Sequence, residues 1–168
     1  MEIKQHVKGV LIAIGSAILI LFVISFFVGS EVRVSKSYVL NSKVDSVYAF
    51  LKNPKNFQKW LDGSQEFKVN YLKEDGGVQY EGFQGNLHTF RYLTIDKING
   101  LEIVYKREDD EMAVIKFKAS ARNNGTILEY EKVWKISNNP IVKVVSMNLD
   151  KDIEEGMKKD IKRLKKEL

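Results

Sequence analysis

The sequence predicts an α+β protein in which a curved antiparallel sheet wraps around a long C-terminal helix, preceded by one transmembrane helix. Three observations lead there. Residues 9–30 carry no charged side chain, and fourteen of these twenty-two are Val, Ile, Leu or Phe. From Glu66 to Ser137, alternating polar and apolar runs are divided by Gly, Asn and Asp turns. From Asn139 to Leu168, apolar residues recur at every third or fourth position.

Residues 1–8 form a short tail and residues 9–30 an anchor helix. At about 1.5 Å per residue the anchor is roughly 33 Å long, enough to cross the hydrocarbon core of a bilayer. A cleaved signal peptide is the competing reading, with Lys4 and Lys8 as its positive region and Val28-Gly29-Ser30 as a small-residue cleavage site. The apolar run is about twice the length usual for a signal peptide, which favours a retained, single-pass anchor. Lys4 and Lys8 on one side are matched by Arg33, Lys36 and Lys43 on the other, so charge does not orient the helix. So short a tail favours placing the following domain on the extracytoplasmic side. Gly9, Ala13 and Ala17 make a small-residue stripe on one face of the helix.

Residues 32–168 form one domain, and no Gly/Ser/Pro linker separates it from the anchor. Val32 to Leu40 alternates as a half-buried strand does. Ser42-Lys-Val-Asp45 is a capping-box-like start, after which Val44, Val47, Tyr48 and Leu51 recur at helical spacing. Asn53-Pro54 ends that helix and caps a second short one bearing Phe57, Trp60 and Leu61. Six strands follow as a meander. In its last two, Ala113, Ile115, Phe117 and Ala119 share one face, as do Leu128, Tyr130, Trp134 and Ile136. Asn139-Pro140 starts a C-terminal helix with an unbroken stripe of Ile141, Val145, Leu149, Ile153, Met157, Ile161, Leu164 and Leu168. Gly156 within it is either a soft spot or a point of close packing.

The chain has 27 Lys and Arg against 22 Asp and Glu, a net charge of +5, and no cysteine. Disulfides and thiolate metal sites are therefore excluded. Residues 158–166 hold six Lys or Arg and one Asp. This run reads as a solvated helix face or as attraction to anionic headgroups beside the anchor. Nothing accompanies it that would signal nucleic-acid binding.

Val34-Ser-Lys-Ser-Tyr-Val-Leu-Asn41, Val44-Asp-Ser-Val-Tyr-Ala-Phe-Leu51 and Asn53-Pro54-Lys-Asn-Phe57-Gln-Lys-Trp60, closed by the long C-terminal helix, resemble the START-like superfamily that includes polyketide cyclases (SRPBCC). The resemblance spans residues 32–168 and departs from the usual pattern after Trp60, where Leu61-Asp62-Gly63 stands. It implies a helix-grip fold with an apolar cavity between the long helix and the concave sheet. By strand parity, Phe67, Tyr80, Tyr92, Ile103, Tyr105, Ile115, Phe117, Tyr130 and Trp134 would face that cavity. Trp60 and Met157 would close it from the helical side. Such a lining suits a hydrophobic small molecule or lipid, while for any single residue plain core packing is the competing role.

Two histidines are present. His6 precedes the anchor, and His88 is the one weak catalytic candidate, without the partners a metal site needs. No phosphate loop, serine-hydrolase elbow or zinc-protease motif occurs, and no cofactor is implied. The expected function is a membrane-anchored domain binding or shuttling a hydrophobic molecule. The alternatives are a cyclase- or dehydratase-like enzyme, or a closed-core domain that binds a partner.

Overall fold

The computed structural model describes residues 2–62, 64, 68–71, 78–84, 86–97, 100–107 and 110–168, with side chains described except at 2–6, 78–84 and 86–90. Helix α1 spans Glu2–Phe27, so the expected tail is part of the helix, and β1 (Glu31–Leu40) begins almost at once. Every residue from 7 to 23 is exposed, although all but Lys8 and a few small residues are large and apolar.

After β1 come α2 (Val44–Lys52), a 3-10 turn (Pro54–Asn56) and the short α3 (Phe57–Trp60). Six strands follow: β2 (Lys68–Tyr71), β3 (Val78–Gln84), β4 (Asn86–Lys97), β5 (Gly100–Arg107), β6 (Asp110–Arg122) and β7 (Gly125–Lys135). All pairings are antiparallel, and the seven-stranded order is β1-β7-β6-β5-β4-β3-β2. The chain thus leaves β1 at one edge and re-enters at the opposite edge as β2. This requires α2 and α3 to cross the sheet, and they do so on the face that the C-terminal helix also covers. The helix-grip architecture expected from the sequence is present.

Two local expectations are corrected. Ser42 does not cap α2; its hydroxyl donates instead to the Leu168 carbonyl at 3.0 Å, tying the end of the chain to the end of β1. The C-terminal stripe is also interrupted. Helix α4 (Pro140–Val145) ends in a 3-10 turn (Ser146–Asn148) before α5 (Leu149–Glu167) begins. Ile141 and Val145 consequently leave the stripe and are exposed, while Ile153, Met157, Ile161 and Leu164 of α5 remain buried. The expected caps at Asn53 and Asn139 hold: each side chain accepts from backbone N–H groups of the turn it starts.

The core lies between α2, α3 and α5 and the concave face. Val34 and Leu40 of β1, Leu101 and Ile103 of β5, Ile115 and Phe117 of β6, and Leu128 and Tyr130 of β7 meet Val47, Leu51, Phe57, Trp60 and Met157 there. Each such side chain contributes roughly 1.5–3 kcal/mol by leaving water. Gly125 is required where β7 begins, because a Cβ there would sit 2.2 Å from the Leu40 carbonyl oxygen. Nothing crowds Gly156, so the soft-spot reading of that residue holds.

The convex face carries a charge ladder. Arg33, Glu131, Lys116, Glu102 and Lys97 alternate in sign across five strands, with adjacent pairs 3.3–4.0 Å apart. Exposed pairs of this kind add little stability, but they mark this face as the one turned to water.

Candidate functional site

The β-register sorts the concave face into rows running across the strands. One row pairs Leu101 with Phe117 and Phe117 with Tyr130; the next pairs Thr94 with Ile103, Ile103 with Ile115 and Ile115 with Lys132. Both rows lie under the helices. The Phe117 and Tyr130 rings are 4.7 Å apart, and Trp60 meets Phe117 edge-on at 5.7 Å. Trp60, Phe117, Tyr130 and Met157 are each 0–1% exposed. These four, expected to border a cavity, together with Ile103 and Ile115, form a packed floor.

The last row is different. It runs Tyr92, Tyr105, Ala113, Trp134 and Val32 across β4, β5, β6, β7 and β1. Tyr92 and Tyr105 tilt against each other at 4.9 Å, and Tyr105 meets Trp134 at 5.6 Å over the small Ala113. A bulge between Tyr105 and Lys106 bends the sheet at this point. All three aromatic side chains are half-buried. Burial pushes the Tyr105 hydroxyl up to about 12, despite the opposing charge of Arg107, so it stays protonated near neutrality. Phe57 joins this row to the core by meeting Tyr92 edge-on at 6.1 Å. Of the remaining predicted residues, Phe67 lies outside the described residues, as do the side chains of Tyr80 and His88.

The aromatic row lies at the end of the sheet nearest α1, since Val32 and Trp134 are register partners and the Ser30 carbonyl accepts from the Ile136 N–H at 2.8 Å. The basic C-terminus of α5 lies at the other end, beside Ser42. Ten residues of β1 separate the two ends, about 33 Å at 3.3 Å each. The run at 158–166 thus begins beside the middle of β1, where Lys158 and Lys36 share Glu154, and ends at the end of the sheet away from α1. Part of it is also paired within the domain, Lys158 with Glu154 and Arg163 with Asp62.

A buried polar cluster went unread in the sequence. Asp160 of α5 is fully buried and accepts three hydrogen bonds: from the Tyr130 hydroxyl at 2.6 Å, the Lys132 ammonium at 2.7 Å and the Asp62 N–H at 2.6 Å. Burial first, then the adjacent carboxylate, pushes the Tyr130 phenol well above its ordinary value. The cluster fastens α5 to β7 and to the segment after α3. Its signal was available: Lys132 shares the parity of Tyr130 and Trp134, and Asp160 falls on the stripe between Met157 and Leu164.

Two further polar atoms inside the domain, the Trp60 indole Nε1 and the Thr94 Oγ1, are buried without a hydrogen-bond partner among the described residues. Beside the other end of the core, α2 and strands β4 to β6 bound an open cleft of about 570 Å³. Its lining includes Tyr48, Leu101 and Ala119, and also Lys52 and Asp96, which pair across it. The Tyr48 hydroxyl accepts from the Ala119 N–H at 2.8 Å, where β6 extends beyond β5. Among the described residues, no group of three or more His, Cys, Asp or Glu could hold a metal ion.

No protein family and no curated protein matches the sequence. Solved structures do match in shape. A Staphylococcus aureus protein of unknown function is 13% identical over 80% of this chain and 91% of its own, with a TM-score of 0.60. The di-domain ARO/CYC StfQ from the steffimycin biosynthetic pathway is 12% identical over 80% of this chain and 50% of its own, with a TM-score of 0.58. The KanY protein is 10% identical over 83% of this chain and 98% of its own, with a TM-score of 0.61. Identities this low speak for fold alone, which is the helix-grip arrangement of a curved antiparallel sheet and a long C-terminal helix.

Proposed function

We propose that the protein is a membrane-tethered helix-grip domain that binds or shuttles a hydrophobic small molecule or lipid at the aromatic end of its sheet. The observation that carries this reading is the half-buried row Tyr92, Tyr105 and Trp134, set at the end of the sheet where β1 leaves the apolar helix. Three rings left half-open offer apolar area to a guest. The unpaired Trp60 indole N–H and Thr94 hydroxyl add hydrogen-bonding capacity deeper in.

The tether reading is supported by α1 itself, whose apolar stretch Val7–Phe27 is long enough to cross a membrane and is 6% buried within the protein. Its exit is engaged with the domain through Ser30 and Ile136, as suits a helix that is kept. The domain would lie on the extracytoplasmic side, against the outer leaflet. A guest partitioned in that leaflet would be most concentrated at the end of the sheet that carries the rings.

A fluorescent fatty acid added to the full-length protein in detergent micelles tests the reading, alongside mass spectrometry of lipids that co-purify. The expected result is saturable uptake, weakened about tenfold by Trp134→Ala or Tyr105→Ala, as losing about 1.4 kcal/mol of ring contact requires. Absence of uptake, together with no extractable molecule, would refute it.

A further inference from the structure

We propose that α4 and the 3-10 turn after it seat their apolar side chains in the lipid bilayer beside α1. The inference rests on reading α1 as a membrane span. The apolar stretch Val7–Phe27 has 21 residues, about 31 Å of helix, which matches a hydrocarbon core of about 30 Å. Ser25 to Phe27 therefore lie at its boundary. Helix α4 packs against α1. Residues 7–23 are exposed, whereas Ile24 and Val28 are half-buried and Ser25 is 6% exposed, so the contact lies at that end of α1. This sets α4 at the depth of the boundary.

The side chains α4 turns outward suit that depth. Ile141 is 65% exposed, Val145 79% and Met147 57%, and Phe26 and Phe27, at the end of α1 that α4 packs on, are exposed as well. In water these would form an apolar patch; in the bilayer they are solvated by acyl chains. Lys143 is the one charged residue from 140 to 149, and its long stem lets the ammonium reach the headgroups. Three polar side chains here, Asn139, Ser146 and Ser25, are satisfied locally, as a water-poor setting favours. Asn139 accepts from the N–H groups of Ile141 and Val142, Ser146 donates to the Val142 carbonyl at 2.8 Å, and Ser25 to the Phe22 carbonyl at 2.7 Å. The result is a second membrane contact that holds the Trp134 end of the sheet against the lipid.

The chain has no cysteine, so single labels can be placed at will. Full-length Val145→Cys, Ile141→Cys, Ile14→Cys and Asn124→Cys variants would carry an environment-sensitive fluorophore in phosphatidylcholine vesicles containing doxyl-labelled acyl chains. The expected result is blue-shifted emission and loss of most of the intensity at positions 145, 141 and 14, with neither at 124, in the distant β6–β7 turn. Quenching at 14 without quenching at 141 and 145 would overturn the docking of α4 and leave the anchor intact. Absence of quenching at 14 would overturn the membrane span, and the docking with it. Disulfide formation between two copies at 145, without lipid quenching, would show that a second copy covers the face and would likewise overturn the proposal.

Discussion

Replacing Lys132 by Met removes one charge of the buried Asp160 cluster and leaves the other in place. In the native fold the carboxylate is fully buried, and the lysine side chain retains 14% of its exposure. Without Lys132, the carboxylate keeps the Tyr130 hydroxyl and the Asp62 N–H but loses its counter-charge. Breaking a buried pair by removing one partner costs about 3–5 kcal/mol, and the partial exposure of Lys132 puts this case near 3 kcal/mol. For a chain of this size that is a loss of about 10 °C in Tm. A urea titration of the full chain in micelles, followed by the near-UV signal of the buried Trp and Tyr rings, measures it. Combining Lys132→Met with Asp160→Asn closes a cycle, and coupling of about 2 kcal/mol is expected between residues in direct contact. A cost below about 1 kcal/mol for Lys132→Met, or strictly additive effects in the double variant, would refute this account of how α5 is fastened.

Gly156→Ala should stabilise the protein by about 1 kcal/mol, because the site sits in a helix and nothing lies within 4 Å of the added Cβ. The urea midpoint checks this, and an unchanged or lower midpoint would count against it. Burial raises the phenols of Tyr38, Tyr105 and Tyr130 above the ordinary value of 10.0, the Tyr105 hydroxyl to about 12. Each holds its proton more tightly in the folded than in the unfolded chain. Their contribution is thus complete below about pH 10 and is lost as pH rises through the folded values. Denaturation midpoints should fall above about pH 10, and by less in Tyr130→Phe; an identical fall in that variant would contradict the assignment.

Much of the architecture was legible in the sequence because its determinants are local. The alternation in β6 and β7 set which side chains face inward, and Asn53-Pro54 and Asn139-Pro140 marked two helix starts. The continuous C-terminal helix was not correctly legible. Ile141 and Val145 keep helical spacing with Leu149 and Ile153, and spacing does not reveal the break at Ser146–Asn148 or that α4 packs against the end of α1. For the candidate site, parity correctly placed Tyr105 and Trp134 on the concave face. It could not tell the half-open row from the packed floor at Phe117 and Tyr130, since that depends on which rows α2, α3 and α5 cover.

From the residues alone came an apolar N-terminal helix, one α+β domain after it, and aromatic side chains on one face of a meander. These follow from periodicity and composition, which act over a few neighbouring residues. Tertiary structure decided that Asp160, Lys132 and Tyr130 share one buried cluster, and that the open rings and α4 stand at the end of the sheet next to α1. Those placements depend on groups up to about a hundred residues apart along the chain coming into contact, and a linear pattern does not encode which distant pair will meet.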